Sequence, residues 1–133
     1  MSEEKKIKVV LLDPGKLART AEIGTSIEDL QNAVDGLIEP FYPFEEQVCI
    51  VCNDEGKING MLPNRSVKNK DGVMVDFIFG PAFICDCRGE SFDSLSDEQI
   101  ARYTKMFRYP EHLARLNGKL IGIPFNPQRE HER

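Results

Sequence analysis

The sequence predicts an α+β domain in which a mostly antiparallel sheet of about five or six strands carries two main helices packed on one side. Short apolar runs separated by turn residues predict the strands. Two capping signals, each followed by apolar residues at helical spacing, predict the helices. One helix lies among the strands and the others follow them, an order that favours α+β.

The N-terminal part of the chain predicts a β-hairpin and a helix. Ile7–Leu12 is a nearly continuous apolar run, so we expect a buried strand here. The turn Asp13–Lys16 follows it, and Ala18–Ile23 returns as the second strand. Thr25–Glu28 has the spacing of a capping box, and Gly36 stands where the helix should end. The apolar face of this helix consists of Ile27, Leu30 and Val34.

Four further strands are predicted in the middle of the chain. Leu37–Phe44 contains two prolines, which cannot donate ladder hydrogen bonds, so it predicts an edge strand or a bulged strand. Gln47–Cys52 is its hairpin partner. Pro63–Arg65 leads into a polar loop, which is predicted over Lys68–Gly72. Val73–Phe79 and Ala82–Cys87 are the remaining two strands.

The C-terminal part predicts helices. Ser96–Gln99 is a second capping box, and the helix behind it ends before Pro110. The buried stripe of this helix consists of Ile100, Tyr103 and Phe107. Glu111–Leu116 is predicted as a third, short helix, and Leu120–Phe125 as an extended segment.

Length and composition indicate one domain. The chain has 133 residues, near the commonest domain size, and we expect a globular part over residues 1–125 and a flexible polar tail over residues 126–133. Met1–Lys6 is polar and the apolar run behind it is too short for a signal peptide. No segment reaches the roughly 20 apolar residues of a membrane helix. We therefore expect a cytoplasmic protein without a membrane partner.

The charge distribution disfavours nucleic acid as a partner. The net charge is −5, and residues 1–60 contain 12 acidic against 6 basic side chains. Phosphate backbones require a basic surface. A local basic patch remains open as an alternative, built from Arg102, Lys105, Arg108, Arg115 and Lys119.

The four cysteines are the first candidates for chemistry. Cys49 and Cys52 lie three residues apart on a predicted strand, so their side chains should point to opposite faces. Cys85 and Cys87 lie on another predicted strand. Zinc needs four converging ligands, whereas buried free cysteines behave as small apolar residues. We therefore expect core thiols, with neither a metal site nor a disulfide.

No catalytic motif is recognisable in the sequence. His112 and His131 stand beside no nucleophile pattern, so both are predicted as surface histidines. Asp13–Lys16 lacks the second glycine and the hydroxyl of a phosphate loop. Glu45–Glu46 and Asp54–Glu55 flank a strand of roughly 20 Å, and a two-carboxylate mechanism requires under about 10 Å. We interpret them as solvated turns.

The remaining candidate site is a short polar segment that contains three amides and one guanidinium. These side chains are Asn53, Asn59, Asn64 and Arg65. Arginine binds phosphate or carboxylate with two parallel hydrogen bonds, and asparagine both donates and accepts. The alternative is structural, because turn asparagines bond to their own backbone and an arginine often ties a loop to the body of a domain.

Several short motifs between Ile7 and Phe107 carry a family resemblance. They are Asp13–Lys16, Leu37–Glu39 with Tyr42–Phe44, Asn53–Lys57, Asn59–Gly60 with Pro63–Arg65, Gly80–Ile84 and Leu95–Ile100. On these motifs the chain resembles a family of small proteins of unknown function carried by bacterial phages, plasmids and integrative elements, notably in Firmicutes. Met61 departs from the run that typically precedes the Asn-Arg pair. The resemblance implies a mobile-element accessory protein inside a bacterial host cell, and it brings no established catalytic residues.

The first functional hypothesis is a non-catalytic protein that binds a host factor or sequesters a small host molecule, without a cofactor. For a nucleotide-type ligand, Arg65 is the predicted phosphate contact. One alternative is an enzyme with a site assembled from scattered residues: Asp76, Asp86, Arg65 and His112. The other is a structural module that forms a homodimer through the proline-bearing edge around Phe41–Phe44.

Overall fold

A five-stranded antiparallel sheet forms the centre of the domain. The computed structural model describes residues 5–130, and their strands and helices follow in this order: β1 Lys6–Leu12, β2 Arg19–Gly24, α1 Ile27–Val34, β3 Ile38–Phe41, β4 Val48–Asn53, β5 Pro63–Lys68, β6 Met74–Phe79, β7 Ala82–Asp86, α2 Asp97–Met106, β8 Glu111–Leu116, β9 Lys119–Pro124 and α3 Pro127–Glu130. The central sheet has the order β2-β1-β7-β4-β3. β5 with β6 and β8 with β9 form two separate hairpins. The α+β class is confirmed, but the strands divide among three sheets.

The predicted hairpins and the edge strand are confirmed in the central sheet. β1 pairs with β2 and β3 pairs with β4, both antiparallel. β3, which contains Pro40, lies at one edge of the sheet. Because proline has no N–H to donate, the edge is where such a strand is tolerated.

The two main helices pack on opposite faces of the central sheet. Side chains alternate along β1, so Val10 belongs to the core on the α2 side and Val9 to the core on the α1 side. Tyr103 of α2 and Leu30 of α1 are buried in these two cores. The prediction of both helices on one side is therefore wrong. The central strands are apolar on both faces, so their sequence does not indicate which face a helix covers.

The capping signals correctly predict both helices. Ser96 and Gln99 form the expected capping box of α2. In α1 the N-cap is Ser26, whose hydroxyl accepts from the Asp29 N–H at 3.0 Å. The neighbouring Thr25 hydroxyl instead donates to a backbone carbonyl before the hairpin. The sequence offered two adjacent hydroxyl residues, and only the backbone conformation distinguishes them.

The segment that leads into the predicted polar loop is strand β5, Pro63–Lys68, and the predicted loop Lys68–Gly72 is the end of this strand and a tight turn. Asn69 accepts from the Gly72 N–H and donates to the Val73 carbonyl, which closes the turn into β6. Asp71-Gly72 is a known hairpin signal. The polar residues of β5 concealed the strand, because three of them are buried by contacts from elsewhere in the chain.

The predicted third helix at Glu111–Leu116 is wrong, since this segment is strand β8. Asn117 and Gly118 have φ values of 52° and 80° and connect β8 to β9. Two successive positive φ angles are required by a two-residue type I′ hairpin, for which Asn-Gly is the preferred pair. The pair therefore marks a hairpin and not the end of a helix.

The C-terminal segment is partly described. Pro127–Glu130 forms the short helix α3, so the start of the predicted tail is regular. The prediction for His131 lies outside the described residues. Within residues 5–130, no helix has both the length and the apolar character that crossing a membrane requires.

Candidate functional site

Arg65 lies inside the domain and not in an open loop. Its side chain is fully buried, and Nε donates to the Phe107 carbonyl at 2.6 Å. Nη2 donates to the Lys16 carbonyl at 2.6 Å, and Nη1 donates to the Asp13 carbonyl at 3.2 Å. Burial lowers the pKa of Arg65 to about 10, so the guanidinium stays charged at neutral pH. Arg65 therefore ties β5 to the turn after β1 and to the end of α2.

Asn64 completes this arrangement. Its Nδ2 donates to the Leu12 carbonyl at 2.7 Å and to the Gly80 carbonyl at 2.8 Å. Its Oδ1 accepts from Arg65 Nη1 at 2.6 Å. We call Asn64 and Arg65 the Asn-Arg latch. Every polar group of the Asn64 side chain is occupied within the fold, so the latch offers no free acceptor or donor there.

The other two predicted ligand residues lie elsewhere. Asn53 Nδ2 donates to the carbonyls of Val34 and Asp35 at 3.1 and 3.0 Å, and Oδ1 accepts from the Glu55 N–H at 2.8 Å. Asn53 thus closes the C-terminus of α1. Asn59 is exposed in the turn between β4 and β5. The four predicted residues do not converge on one open pocket, and three of them serve the backbone.

The cysteines adopt the orientations that the strand spacing predicts. Cys49 belongs to the core on the α1 side, while Cys52 packs against the core on the α2 side. Burial raises the pKa of Cys52 to about 11. Over the described range 5–130, no group of three or more His, Cys, Asp or Glu side chains is arranged to hold a metal ion.

The residues of the enzyme hypothesis have separate environments. Asp76 pairs with Lys57 at 2.9 Å. Asp86 is buried and accepts from its neighbour Arg88 at 2.8 Å. His112 stacks on the Phe125 ring at a centroid distance of 4.0 Å. Each of these side chains has a partner outside the set, and no hydrogen bond or ion pair joins two of its members.

A cleft of about 850 Å³ opens between α2 and the β5–β6 hairpin. This volume is in the range of small-molecule sites. Its floor is aromatic: the Phe44 ring lies 4.8 Å from the Tyr103 ring and 6.2 Å from the Phe107 ring, centroid to centroid. Its rim is charged and consists of Glu45, Glu46, Lys68, Lys70, Arg102 and Glu111. An apolar floor with a polar rim suits a ligand that has a flat apolar part and a charged part.

Glu46 is held on the rim by three side chains. Arg102 Nη1 lies 2.6 Å from Oε1, the Tyr103 hydroxyl donates to the same oxygen, and Gln99 donates to Oε2 at 3.2 Å. Arg102 and then Tyr103 lower the pKa of Glu46 to about 2, against the opposing effect of burial. Burial and the bond to Glu46 raise the pKa of Tyr103. Both groups keep one protonation state at neutral pH, so they are poorly suited to proton transfer.

Ser66 contributes to the cleft a side-chain hydroxyl without a hydrogen-bond partner. Its side chain is 5% exposed and lines the cleft, and its hydroxyl has no hydrogen-bond partner among the described residues. Its N–H donates to Glu111 Oε1 at 3.0 Å, which links β5 to β8. Unpartnered buried hydroxyls are uncommon because each one costs free energy. A donor and acceptor without a hydrogen-bond partner therefore lies buried in the wall of the cleft.

Sequence reasoning missed most of this cleft. The sequence predicts Glu46 as a solvated turn residue and Lys68 as the start of a loop, and it predicts no strand that contains Ser66. The Asp71-Gly72 dipeptide was the signal for β5, and it would have placed Ser66 and Lys68 on alternate residues of one strand. Nothing in the sequence indicates that the turn carrying Glu46 packs against α2.

Comparison with known proteins gives one finding. No curated protein and no solved structure matches this chain. A family model for a domain of unknown function matches residues 7–108, which include the Asn-Arg latch and both main helices. Glu111, contributed by β8, lies outside the matched range. The chain belongs to the family of the domain of unknown function DUF3846.

Proposed function

We propose that this chain is a non-catalytic binding protein of a phage or mobile element, and that its cleft sequesters a small nucleotide-type molecule of the host. The observation that carries the binding role is the cleft of about 850 Å³ with the unpartnered Ser66 hydroxyl. The mobile-element setting comes from the family resemblance of the sequence motifs. This proposal moves the ligand contacts from Arg65 and the three asparagines to the cleft.

The aromatic floor favours a planar ring. Phe44 and Tyr103 lie side by side, and aromatic faces stack on nucleobases with a gain of about 1–3 kcal/mol per base. Arg102 lies over the Tyr103 ring at 5.1 Å, so its guanidinium already shields one side of this floor. A base is therefore expected against Phe44.

The basic side of the rim favours an anion. Lys68 follows Ser66 by two residues on β5, and Lys70 lies in the adjoining turn. Lys70 forms only a long, exposed contact with Glu45, at 3.4 Å. Lys68 has no ion pair within residues 5–130. A phosphate near these two ammonium groups would also be within the part of the cleft that Ser66 lines.

The test is calorimetric titration of the chain with mononucleotides, dinucleotides and cyclic nucleotides. We expect one of them to bind, and Lys68→Ala to raise its Kd by about tenfold, or ~1.4 kcal/mol. Ser66→Ala should raise the Kd by a similar factor without lowering the folding stability, because the hydroxyl has no partner to lose and its unsatisfied burial costs free energy.

Asn59→Ala is the matched control, since this residue is exposed and outside the cleft. It should bind the ligand with the affinity of the unchanged chain. Binding that neither Lys68→Ala nor Ser66→Ala weakens would reject the cleft, and a panel without any binder would reject the nucleotide class. A bound ligand recovered chemically altered after incubation would reject the non-catalytic role.

A further inference from the structure

A pair of buried thiols lies at the centre of the main sheet. Cys49 on β4 and Cys85 on β7 are direct cross-strand partners, and their Sγ atoms are 3.7 Å apart. Directly opposed residues of antiparallel strands have Cα atoms about 4.5–5.5 Å apart, a separation within the range of about 4.4–6.8 Å seen in disulfides. The two sulfur atoms can therefore reach bonding distance through side-chain rotation, without movement of the strands.

A third thiol connects this pair to the surface. Cys87 lies two residues beyond Cys85 in the chain and packs against the same core on the α1 side. Unlike Cys49 and Cys85, which are fully buried, Cys87 is partly exposed. The thiol cluster, defined as Cys49, Cys85 and Cys87, therefore extends from the interior of the sheet to a partly exposed residue.

Hydrogen bonding within the thiol cluster favours ionisation of one sulfur over the other two. A bond from the Cys85 thiol, with a weaker contribution from Cys87, lowers the pKa of Cys49. The same bond raises the pKa of Cys85, and burial is the main cause that raises the pKa of Cys87. The thiolate is the reactive form of cysteine, so Cys49 is the sulfur expected to react first.

We propose that Cys49 and Cys85 form a reversible disulfide when the protein meets a hydroperoxide, ROOH. The Cys49 thiolate attacks the terminal oxygen, the O–O bond breaks, and ROH leaves after taking up a proton. Cys49 is then a sulfenic acid. The Cys85 sulfur attacks the Cys49 sulfur, the S–O bond breaks, and the hydroxyl leaves as water with the proton of Cys85.

In this reaction two thiols are oxidised, and the peroxide is reduced to ROH and water. Transient disulfides of this kind are the ones that reducing compartments allow. A thiol reductant such as dithiothreitol would restore both cysteines by exchange. The chain would in this way carry a redox-responsive modification site on the face of the sheet that α1 covers, separate from the cleft on the α2 side.

The test is oxidation of the purified chain with hydrogen peroxide, followed by alkylation and peptide mapping without reductant. We expect two of the four cysteines to resist alkylation, a mass lower by two hydrogen atoms, and one linked peptide pair containing Cys49 and Cys85. Dithiothreitol should restore alkylation of all four. Cys85→Ala should stop the reaction at a Cys49 sulfenic acid, which dimedone captures.

Cys52→Ser is the matched control, because Cys52 is partly exposed on the opposite face and bonds only to the Glu39 carbonyl. It should form the same linkage at the same rate as the unchanged chain. Alkylation of all four cysteines after peroxide treatment would overturn the proposal. A linkage that involves Cys52 or joins two chains would also overturn it.

Discussion

The Asn-Arg latch and the cleft both include polar residues of strand β5, but they differ in hydrogen bonding. In the latch, Asn64 and Arg65 are fully buried and bond to carbonyls from three separate segments of the chain, at residues 12–16, at Gly80 and at Phe107. In the cleft, the Ser66 hydroxyl next to them is left without a partner among the described residues. Adjacent residues of one strand thus serve the fold and the candidate site.

The difference shows that the polarity of a segment does not identify a binding site. An arginine with two or three asparagines can bind a phosphate, and the same side chains can equally well donate hydrogen bonds to buried backbone carbonyls. What distinguishes the two uses is whether a polar group is left without a hydrogen-bond partner. The cleft fulfils this condition and the latch does not, so the following changes should affect them differently.

The largest expected effect is that of Arg65→Ala. The substitution leaves the buried Phe107 carbonyl and the partly buried Lys16 carbonyl without a strong donor and creates a cavity, so the free energy of unfolding should fall by about 3–5 kcal/mol. Arg65→Lys should lose nearly as much, because one ammonium cannot reach acceptors on both segments. Urea denaturation measures the free energy of unfolding of both variants. A loss below ~1 kcal/mol in either variant would mean that the latch is not structural.

An intermediate effect is expected for the amide that closes α1. Asn53→Ala removes two donations to the Val34 and Asp35 carbonyls, so the free energy of unfolding should fall by about 1–2 kcal/mol. Asn59→Ala is the comparison, and its exposed side chain should change stability by less than ~0.5 kcal/mol. Thermal and urea unfolding of Asn53→Ala and Asn59→Ala would measure both changes in stability. Equal losses would contradict the assignment of Asn53 to the backbone and Asn59 to solvent.

The smallest effect is expected on the rim of the cleft and depends on pH. The folded-state pKa of Glu46 is lowered to about 2, so its stabilisation is present above the unfolded value of 4.5 and is lost as the pH falls toward 2. A third of the side chain is exposed, so screening reduces the contribution to about 1 kcal/mol.

Glu46→Gln should therefore be less stable than the unchanged chain at pH 6, and the gap should narrow as the pH is lowered to 3. Urea unfolding of both proteins across this range gives the comparison. A gap that is constant with pH would show that the carboxylate charge contributes nothing and that only the hydrogen-bond geometry matters.

Local patterns predicted the elements whose signals lie within a few residues. The two capping signals and their apolar spacing were sufficient for α1 and α2, and the apolar runs were sufficient for β1, β4, β6 and β7. The errors arose where one local signal has two meanings. Asn117-Gly118 fits a helix end and a hairpin turn, and only the pairing of β8 with β9 decides between them.

The candidate site was far less predictable, because its members come together from distant parts of the chain. Glu46 meets Arg102 and Tyr103 across more than 50 residues, and Ser66 meets Glu111 across 45. The sequence alone does not show whether a polar residue is buried. The sequence around Arg65 therefore predicts an open loop, although the Arg65 side chain is among the most deeply buried in the described part of the domain.

The sequence by itself determined the α+β class, the two main helices and the proline-bearing edge strand, because periodicity, capping and the missing N–H of proline act locally. Only the tertiary structure decided which face each helix covers, which thiols meet, and which polar groups are consumed by the fold. The physical reason is that burial and hydrogen-bond satisfaction depend on contacts between remote segments. The Arg65 guanidinium, with acceptors at Lys16 and Phe107, is the clearest example.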